Sequence, residues 1–169
     1  TNDISFPFAY NPAPARMKIP KKQFRIYWDV PTQTKLPANK NELAFYSIPQ
    51  LASLIMNKKI SSVELTKFFI ARLKKWDDTL ECVITLTEEL AMKQAKKADD
   101  ELKAGIYRGP LHGIPYGLKD LFAVKGYKTT WGTTPYMDQV LDVDSYVYTE
   151  LKNHGAVLCA KLSLGALAY

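Results

Sequence analysis

The stretch from residue 113 to residue 161 decides the fold of this chain. It opens with GIPYGLKDLFAV (residues 113–124), which has the content of a β-strand, and closes with DVDSYVYTELKNHGAVLCAK (residues 142–161). In the second segment Asp144 or Ser145 caps a predicted helix, Gly155 ends it, and AVLCAK follows as a compact buried strand. A strand, a crossover helix and a second strand form a βαβ unit, so the two strands are expected to be parallel neighbours.

The residues before this unit predict three helices and one further strand. Three capping boxes mark the helix starts, and they are Ser47 with Gln50, Ser61 with Glu64, and Thr85 with Glu88. The first helix is expected to end near Asn57, and the third is followed by Gly105 at the C′ position. Between the second and third helices, ECVITLT (residues 81–87) predicts a short strand. A parallel sheet must be covered on both faces, and these elements are too few for that, so we expect the domain to continue beyond Tyr169.

The composition is that of a folded domain. Hydrophobic residues make up 47% of the chain and charged residues 24%, which excludes a largely disordered protein. No apolar window is long enough to span a membrane, and the start has no signal-peptide pattern. The compartment stays open between the cytoplasm and, if Thr1 is a mature terminus, an extracytoplasmic location. Cys82 and Cys159 lie in apolar strand-like runs, which favours free buried thiols over a disulfide.

Residues 1–40 are predicted to be a proline-rich basic extension, separate from the domain at residues 41–169. They hold six of the 10 prolines and seven lysines or arginines against Asp3 and Asp29, so they carry most of the net charge of +6. The prolines forbid long helices and interior strands there. The pattern favours an extended arm that packs on the domain or contacts a protein partner, including a second copy of the chain. It disfavours nucleic-acid binding.

Metal and nucleotide sites have weak support in the sequence. His112 and His154 are the only histidines, and neither has cysteines or carboxylates at ligand spacing, so no metal is predicted. Two adjacent acidic pairs, Asp77 with Asp78 and Asp99 with Asp100, are interpreted as solvated helix faces. The glycines of residues 105–117 lack the strand-then-helix context of a phosphate loop. We therefore predict no cofactor.

Lys119 is the one candidate catalytic residue. If residues 116–122 form a strand, Tyr116, Leu118 and Asp120 share one face, while Gly117, Lys119 and Leu121 share the other. The glycine leaves room for another group to approach the Lys119 amine closely. A buried amine without an ion partner loses its proton readily and acts as a general base. The alternative is a lysine that pairs with Asp120 or simply reaches solvent.

Two segments together resemble the amidase signature family. They are GPLHGIPYGLKDLFAVKGYKTT (residues 109–130) and DVDSYVYTELKNHGAVLCAKLSLGALAY (residues 142–169). The resemblance extends from about residue 48 to residue 169. It implies an α/β fold with a mixed sheet flanked by helices, of which only the N-terminal part is present. It also implies an amidase that hydrolyses the carbon–nitrogen bond of a small-molecule, non-peptide amide.

The same resemblance assigns the lysine of a Ser-cisSer-Lys triad to Lys119. It implies that both serines lie in a Gly/Ser-rich segment after Tyr169, in the remainder of the same polypeptide or in a C-terminal fragment. Ser61, Ser62 and Ser163 do not match those serines, so the 169 residues alone are expected to be inactive. The ending KLSLGALAY (residues 161–169) departs from the pattern of amidotransferase members and favours a stand-alone amidase. Two alternatives stay open: the A subunit of a tRNA-dependent amidotransferase, and a non-catalytic fragment that binds through residues 1–40.

Overall fold

The structure is a computed structural model that describes Lys18, Lys22, Tyr27 and residues 29–169. The predictions about the basic arm fall mostly on residues 1–28 and so lie largely outside the described residues. Within the described part, the elements in chain order are α1 (Ile48–Met56), α2 (Ser62–Leu80), β1 (Val83–Leu86), α3 (Glu88–Lys103), β2 (Pro115–Lys119), α4 (Tyr146–Asn153) and β3 (Val157–Leu162). Short 3-10 helices lie at Lys40–Phe45, Thr134–Tyr136 and Ala166–Ala168.

The three strands form one open mixed sheet in the order β1-β3-β2. β3 runs parallel to β2 and antiparallel to β1. Both the parallel pairing across the βαβ unit and the α/β mixed-sheet fold are therefore confirmed. In the β2–β3 pairing Lys119 is opposite Leu162, so the last residues of the two parallel strands lie side by side.

Two of the three predicted capping boxes are present. The Ser47 and Ser61 hydroxyls accept hydrogen bonds from the N3 backbone N–H groups, and the N3 side chains reach back to the cap residues. The third box is wrong, because Thr85 belongs to β1, where it pairs with β3. Thr87 stands at the N-cap of α3 without a side-chain cap bond, and its hydroxyl instead donates to Leu158 O at 2.7 Å.

The predicted helix α4 has the expected limits. Of the two candidate caps, Ser145 is the N-cap and accepts from Tyr148 N. Asp144 instead accepts a hydrogen bond from Lys125 N at 2.8 Å. The helix is followed by Gly155, whose φ of 80° is in the left-handed region that favours glycine.

Two aspartates predicted to lie on solvated faces have structural partners. Both oxygens of Asp99 accept hydrogen bonds from the first turn of α2, Oδ1 from Ser62 N at 2.7 Å and Oδ2 from Val63 N at 3.1 Å. Asp77 Oδ1 accepts from Cys82 N and Val83 N at 3.0 and 2.8 Å, which fixes the start of β1. The interpretation as solvated faces is thus wrong for these two, while their neighbours Asp78 and Asp100 are exposed as predicted.

The core lies on both sides of β3, whose residues 157–161 are all buried. Ala91 and Ala95 of α3 are fully buried against Val157 and Cys159, and their small side chains let the helix approach the sheet closely. Leu118, Val124, Tyr148 and Leu158 form a second cluster with the α4 side of the molecule. A third cluster joins α1 to α2 and is made of Leu43, Leu51, Ala52, Leu54, Ile55, Leu65 and Ile114. Both cysteines are free, as predicted; Cys159 is buried, whereas Cys82 is only partly buried.

The described end of the N-terminal extension packs on α1. Thr34 N donates to Ser53 Oγ, and the Asn57 side chain donates to Thr32 O at 3.2 Å. Lys59 Nζ donates to Thr34 O at 2.7 Å. Residues 32–34 therefore follow the surface of the domain rather than extending away from it.

Candidate active site

Lys119 lies at the edge of the sheet where β2 and β3 end. Two chain segments meet at this edge, the loop at residues 129–133 and the chain after β3. Leu167 N donates to Trp131 O at 2.8 Å. In open α/β sheets ligands bind outside the carboxyl ends of parallel strands. The position of Lys119 is thus one where an α/β protein would hold a substrate.

The side chains around Lys119 alternate between the two faces as predicted. Leu118 and Asp120 are buried, whereas Gly117, Lys119 and Leu121 are exposed. A Cβ at Gly117 would collide with Leu162 Cδ1, so the glycine does permit a close approach, and the approaching group is Leu162.

The predicted burial of Lys119 is wrong for the described part of the chain. Its side chain is exposed because the residues of α4 and of the loop after β2 cover the opposite face of the strand. Within residues 29–169 the Lys119 ammonium forms no hydrogen bond and no ion pair. The alternative of a pair with Asp120 is also wrong, since Asp120 has another partner. The prediction that Asp120 points away from the Lys119 face is confirmed.

The buried lysine at this edge is Lys161, which the sequence patterns did not single out. Its Nζ lies 2.5 Å from Asp120 Oδ1, and both side chains are 0% exposed. Lys161 Nζ also donates to Lys128 O at 2.7 Å and to Thr129 Oγ1 at 3.1 Å. The contact with Oδ1 is an ion pair, and the directed hydrogen bonds of the ammonium go to the loop. A lysine inside the otherwise apolar run AVLCAK was the available signal, because a buried charge needs a partner.

Asp120 is held by the loop as well as by Lys161. Its Oδ2 accepts hydrogen bonds from Thr130 N at 2.8 Å and from Thr130 Oγ1 at 2.5 Å. Gly132 follows with a φ of 68°, and a Cβ there would lie 2.6 Å from Leu164 O. The loop is thus hydrogen-bonded to Asp120 at the end of β2, and it packs closely against the chain after β3.

The other titratable groups near the sheet have structural roles. His112 is buried, with Nε2 2.9 Å from Ala98 O, and Arg108 N donates to its Nδ1. His154 is the C-cap of α4. Burial raises the pKa of Tyr116 far above its ordinary value, so its phenol stays neutral. Within the described residues there is no group of three or more His, Cys, Asp or Glu that could hold a metal ion.

In the described part of the chain, no helix is both long enough and apolar enough to span a membrane.

The comparisons with known proteins show the family of the chain. The Amidase family matches residues 64–169, a segment that includes Lys119 and the Asp120–Lys161 pair. The chain therefore belongs to the amidase family, in agreement with the resemblance seen in the sequence.

Curated relatives are components of a larger enzyme. The chain is 37% identical over 122 residues to the A subunit of the glutamyl-tRNA(Gln) amidotransferase of Methylococcus capsulatus, and 41% identical over 123 residues to that of a Marinomonas species. Each match covers 72% of this chain and 25% of the relative. The chain thus spans about a quarter of the length of the curated relatives it matches.

Solved structures with a similar fold include amidases. The peptide amidase of Stenotrophomonas maltophilia superimposes with a TM-score of 0.68 at 32% identity, covering 73% of this chain and 26% of that one. A fatty acid amide hydrolase gives a TM-score of 0.68 at 29% identity, covering 75% of this chain and 23% of that one.

Proposed function

We propose that this chain is the N-terminal part of an amidase that hydrolyses the carbon–nitrogen bond of a small-molecule, non-peptide amide, with Lys119 as the general base. The observation that carries the proposal is the position of Lys119, which ends a strand at the ligand-binding edge of the sheet and has no ion partner within residues 29–169. An amine without a carboxylate partner can become neutral and accept a proton.

The proposed chemistry needs a nucleophile from outside the printed residues. By resemblance to the family, a serine hydroxyl attacks the amide carbonyl carbon while its proton passes through a second serine to the neutral Lys119 amine. The tetrahedral intermediate collapses, and the C–N bond breaks as the proton passes to the leaving amine. Water then attacks the acyl ester, returns the free acid and restores the serine. Backbone N–H groups stabilise the negative oxygen at both steps.

The exposure of Lys119 supports the further proposal that residues 1–169 are inactive alone. The role of base requires cover over the face that carries Gly117, Lys119 and Leu121, because burial favours the neutral form of an amine. We propose that the remainder of the polypeptide supplies this cover together with the serines. Turnover by the isolated 169 residues that disappears in Lys119→Ala would contradict this proposal.

The experiment is amide hydrolysis by the full-length polypeptide, measured as release of ammonia or amine from a panel of small amides. Lys119→Met is expected to lower kcat at least about 1,000-fold, because removal of the base blocks formation of the acyl-enzyme. Lys125→Met is the matched control, since this lysine is exposed and pairs with Asp142 at the surface. Equal activity in Lys119→Met and Lys125→Met would refute the role of Lys119.

A second candidate is the A subunit of an amidotransferase. The names and the 37–41% identity of the curated relatives support it, whereas the ending at residues 161–169 favours a stand-alone enzyme. Purification of the tagged full-length protein from its own cells distinguishes the two, because a component of a complex brings partner chains in fixed stoichiometry. Binding through residues 1–40 stays a prediction, since most of those residues lie outside the described part.

A further inference from the structure

The Asp120–Lys161 pair is unusual because it is completely buried. Taking two charges out of water costs several kcal/mol for each ion, so such a pair persists only where the contacts compensate for the desolvation. Here both members have contacts beyond the pair itself. Lys161 Nζ contacts Asp120 Oδ1, Lys128 O and Thr129 Oγ1, while Asp120 Oδ2 accepts two bonds from Thr130.

The pair sits directly beside the proposed base. Asp120 follows Lys119 in the chain, and Lys161 of β3 is the register partner of Leu118. Successive side chains of a strand point to opposite faces. The Asp120 side chain is held on the covered face, so the Lys119 side chain lies on the open face. The carboxylate nearest to Lys119 in sequence, that of Asp120, is thus paired with a second lysine, Lys161.

We propose that Lys161 is an internal counterion that keeps Asp120 from pairing with Lys119, so that the Lys119 amine is held on the open face without a carboxylate partner among residues 29–169. Asp120 and Lys161 are then positioning residues. Together they hold one negative and one positive charge, so the pair adds no net charge beside the base. The inference concerns the charge state of Lys119 and rests on the proposed function only for the use of that amine in catalysis.

Three charged groups on neighbouring segments have partners of their own. Asp77, at the end of α2, is bonded to the backbone at the start of β1. At the surface of the loops, Lys128 pairs with Asp138 and Lys125 with Asp142. Residues 129–137 and 162–169 carry no charged side chain. A substitution in the buried Asp120–Lys161 pair therefore changes the charge near Lys119 without altering these surface ion pairs.

The test is the titration of Lys119 in the full-length polypeptide, read from the rate of its acetylation by acetic anhydride across a pH series. Mass spectrometry of the peptide that contains Lys119 gives the pH at which acetylation reaches half of its maximal rate, and this pH is the midpoint. Lys161→Met leaves the Asp120 carboxylate uncompensated and is expected to raise the midpoint by about 1 pH unit. Asp120→Asn leaves the Lys161 ammonium uncompensated and is expected to lower it by a similar amount. The double variant is expected to return close to the wild-type midpoint.

Lys128→Met is the matched control, because it removes a lysine charge from the same loop but at an exposed position. Its midpoint is expected to change by less than about 0.3 pH unit, since solvent screens the charge. If Lys161→Met does not fold, Lys161→Gln replaces it, because the amide can still donate to Lys128 O. Opposite shifts in the two single variants support the inference. Unchanged midpoints, or shifts in the same direction, overturn it.

The outcome is separable from that of the proposed function. Amide hydrolysis that is lost in Lys119→Met, together with midpoints that do not move, would overturn the counterion and leave the amidase in place. Opposite shifts in a protein that hydrolyses no amide would support the counterion and count against the amidase.

Discussion

Replacing Asp99 by alanine is expected to lower the free energy of unfolding by about 2–3 kcal/mol. The two carboxylate oxygens accept from Ser62 N and Val63 N, the first two backbone donors of α2, which have no intrahelical partner. A hydrogen bond contributes about 1 kcal/mol net, and more where one group is charged and buried; both of these are partly exposed, so about 1 kcal/mol is expected for each. The negative charge at a helix N-terminus adds a few tenths of a kcal/mol.

Substitutions at Asp99 and at its neighbour Asp100 test this expected loss of stability. Asp99→Asn keeps the shape but offers one acceptor instead of two, so it is expected to lose at least half as much as Asp99→Ala. Asp100→Ala is the control, since Asp100 forms only an exposed pair with Lys103 and is expected to contribute less than about 0.5 kcal/mol.

The assay is hydrogen exchange of the α2 first-turn peptide in the full-length polypeptide, alongside urea unfolding of each variant. A loss of about 2–3 kcal/mol corresponds to a decrease in protection of about 30- to 150-fold. Losses in Asp99→Ala and Asp100→Ala that agree within about 0.5 kcal/mol would refute the stabilising role of Asp99 at the first turn of α2.

Two further predictions concern titratable groups away from the proposed base. Burial raises the pKa of the Cys159 thiol to about 12, so iodoacetamide at pH 8 is expected to modify partly exposed Cys82 much faster than Cys159; equal rates by mass spectrometry would contradict this. The hydrogen bonds from Arg108 hold the pKa of Glu101 below its usual value. A depressed carboxyl pKa stabilises the fold above the unfolded-state value, and this contribution is lost as the pH falls through the folded-state value. Glu101→Gln is therefore expected to cost about 1 kcal/mol at pH 7 and almost nothing at pH 2 by urea unfolding, and an equal cost at both pH values would count against the ion pair.

The parts of the fold that follow local rules were predictable from the sequence. The boxes at Ser47 and Ser61 join residues three positions apart, so the signal and the structure lie in the same turn. The parallel βαβ unit follows from the order of its elements, and the alternation around Lys119 follows from the period of a strand.

Three of the errors involve partners that are distant in the chain. Thr85 matches a capping box locally, but the pairing of β1 with β3 places it in a strand. Asp99 looks like half of a solvated pair, yet its partners lie 36 and 37 residues away in α2. Lys161 reads as the end of an apolar run, and nothing in its immediate sequence neighbourhood indicates Asp120 or the loop at residues 129–130. Long-range electrostatic partners leave no periodic signal.

The position of β3 in the sheet has a consequence for biosynthesis. It is the central strand, yet it is the last of the three to be made, and its first contact with the β1 side joins Thr87 to Leu158 across 71 residues. At a synthesis rate of about 5–20 residues per second, β1 waits about 4–14 seconds on the ribosome for the strand that pairs with it. During that interval α1 and α2 can pack against each other through contacts that are close in sequence, whereas β1 and β2 have no partner strand. Until residue 162 has emerged, β1 and β2 lack the strand that pairs with both of them, and a chaperone that protects them would act in that interval.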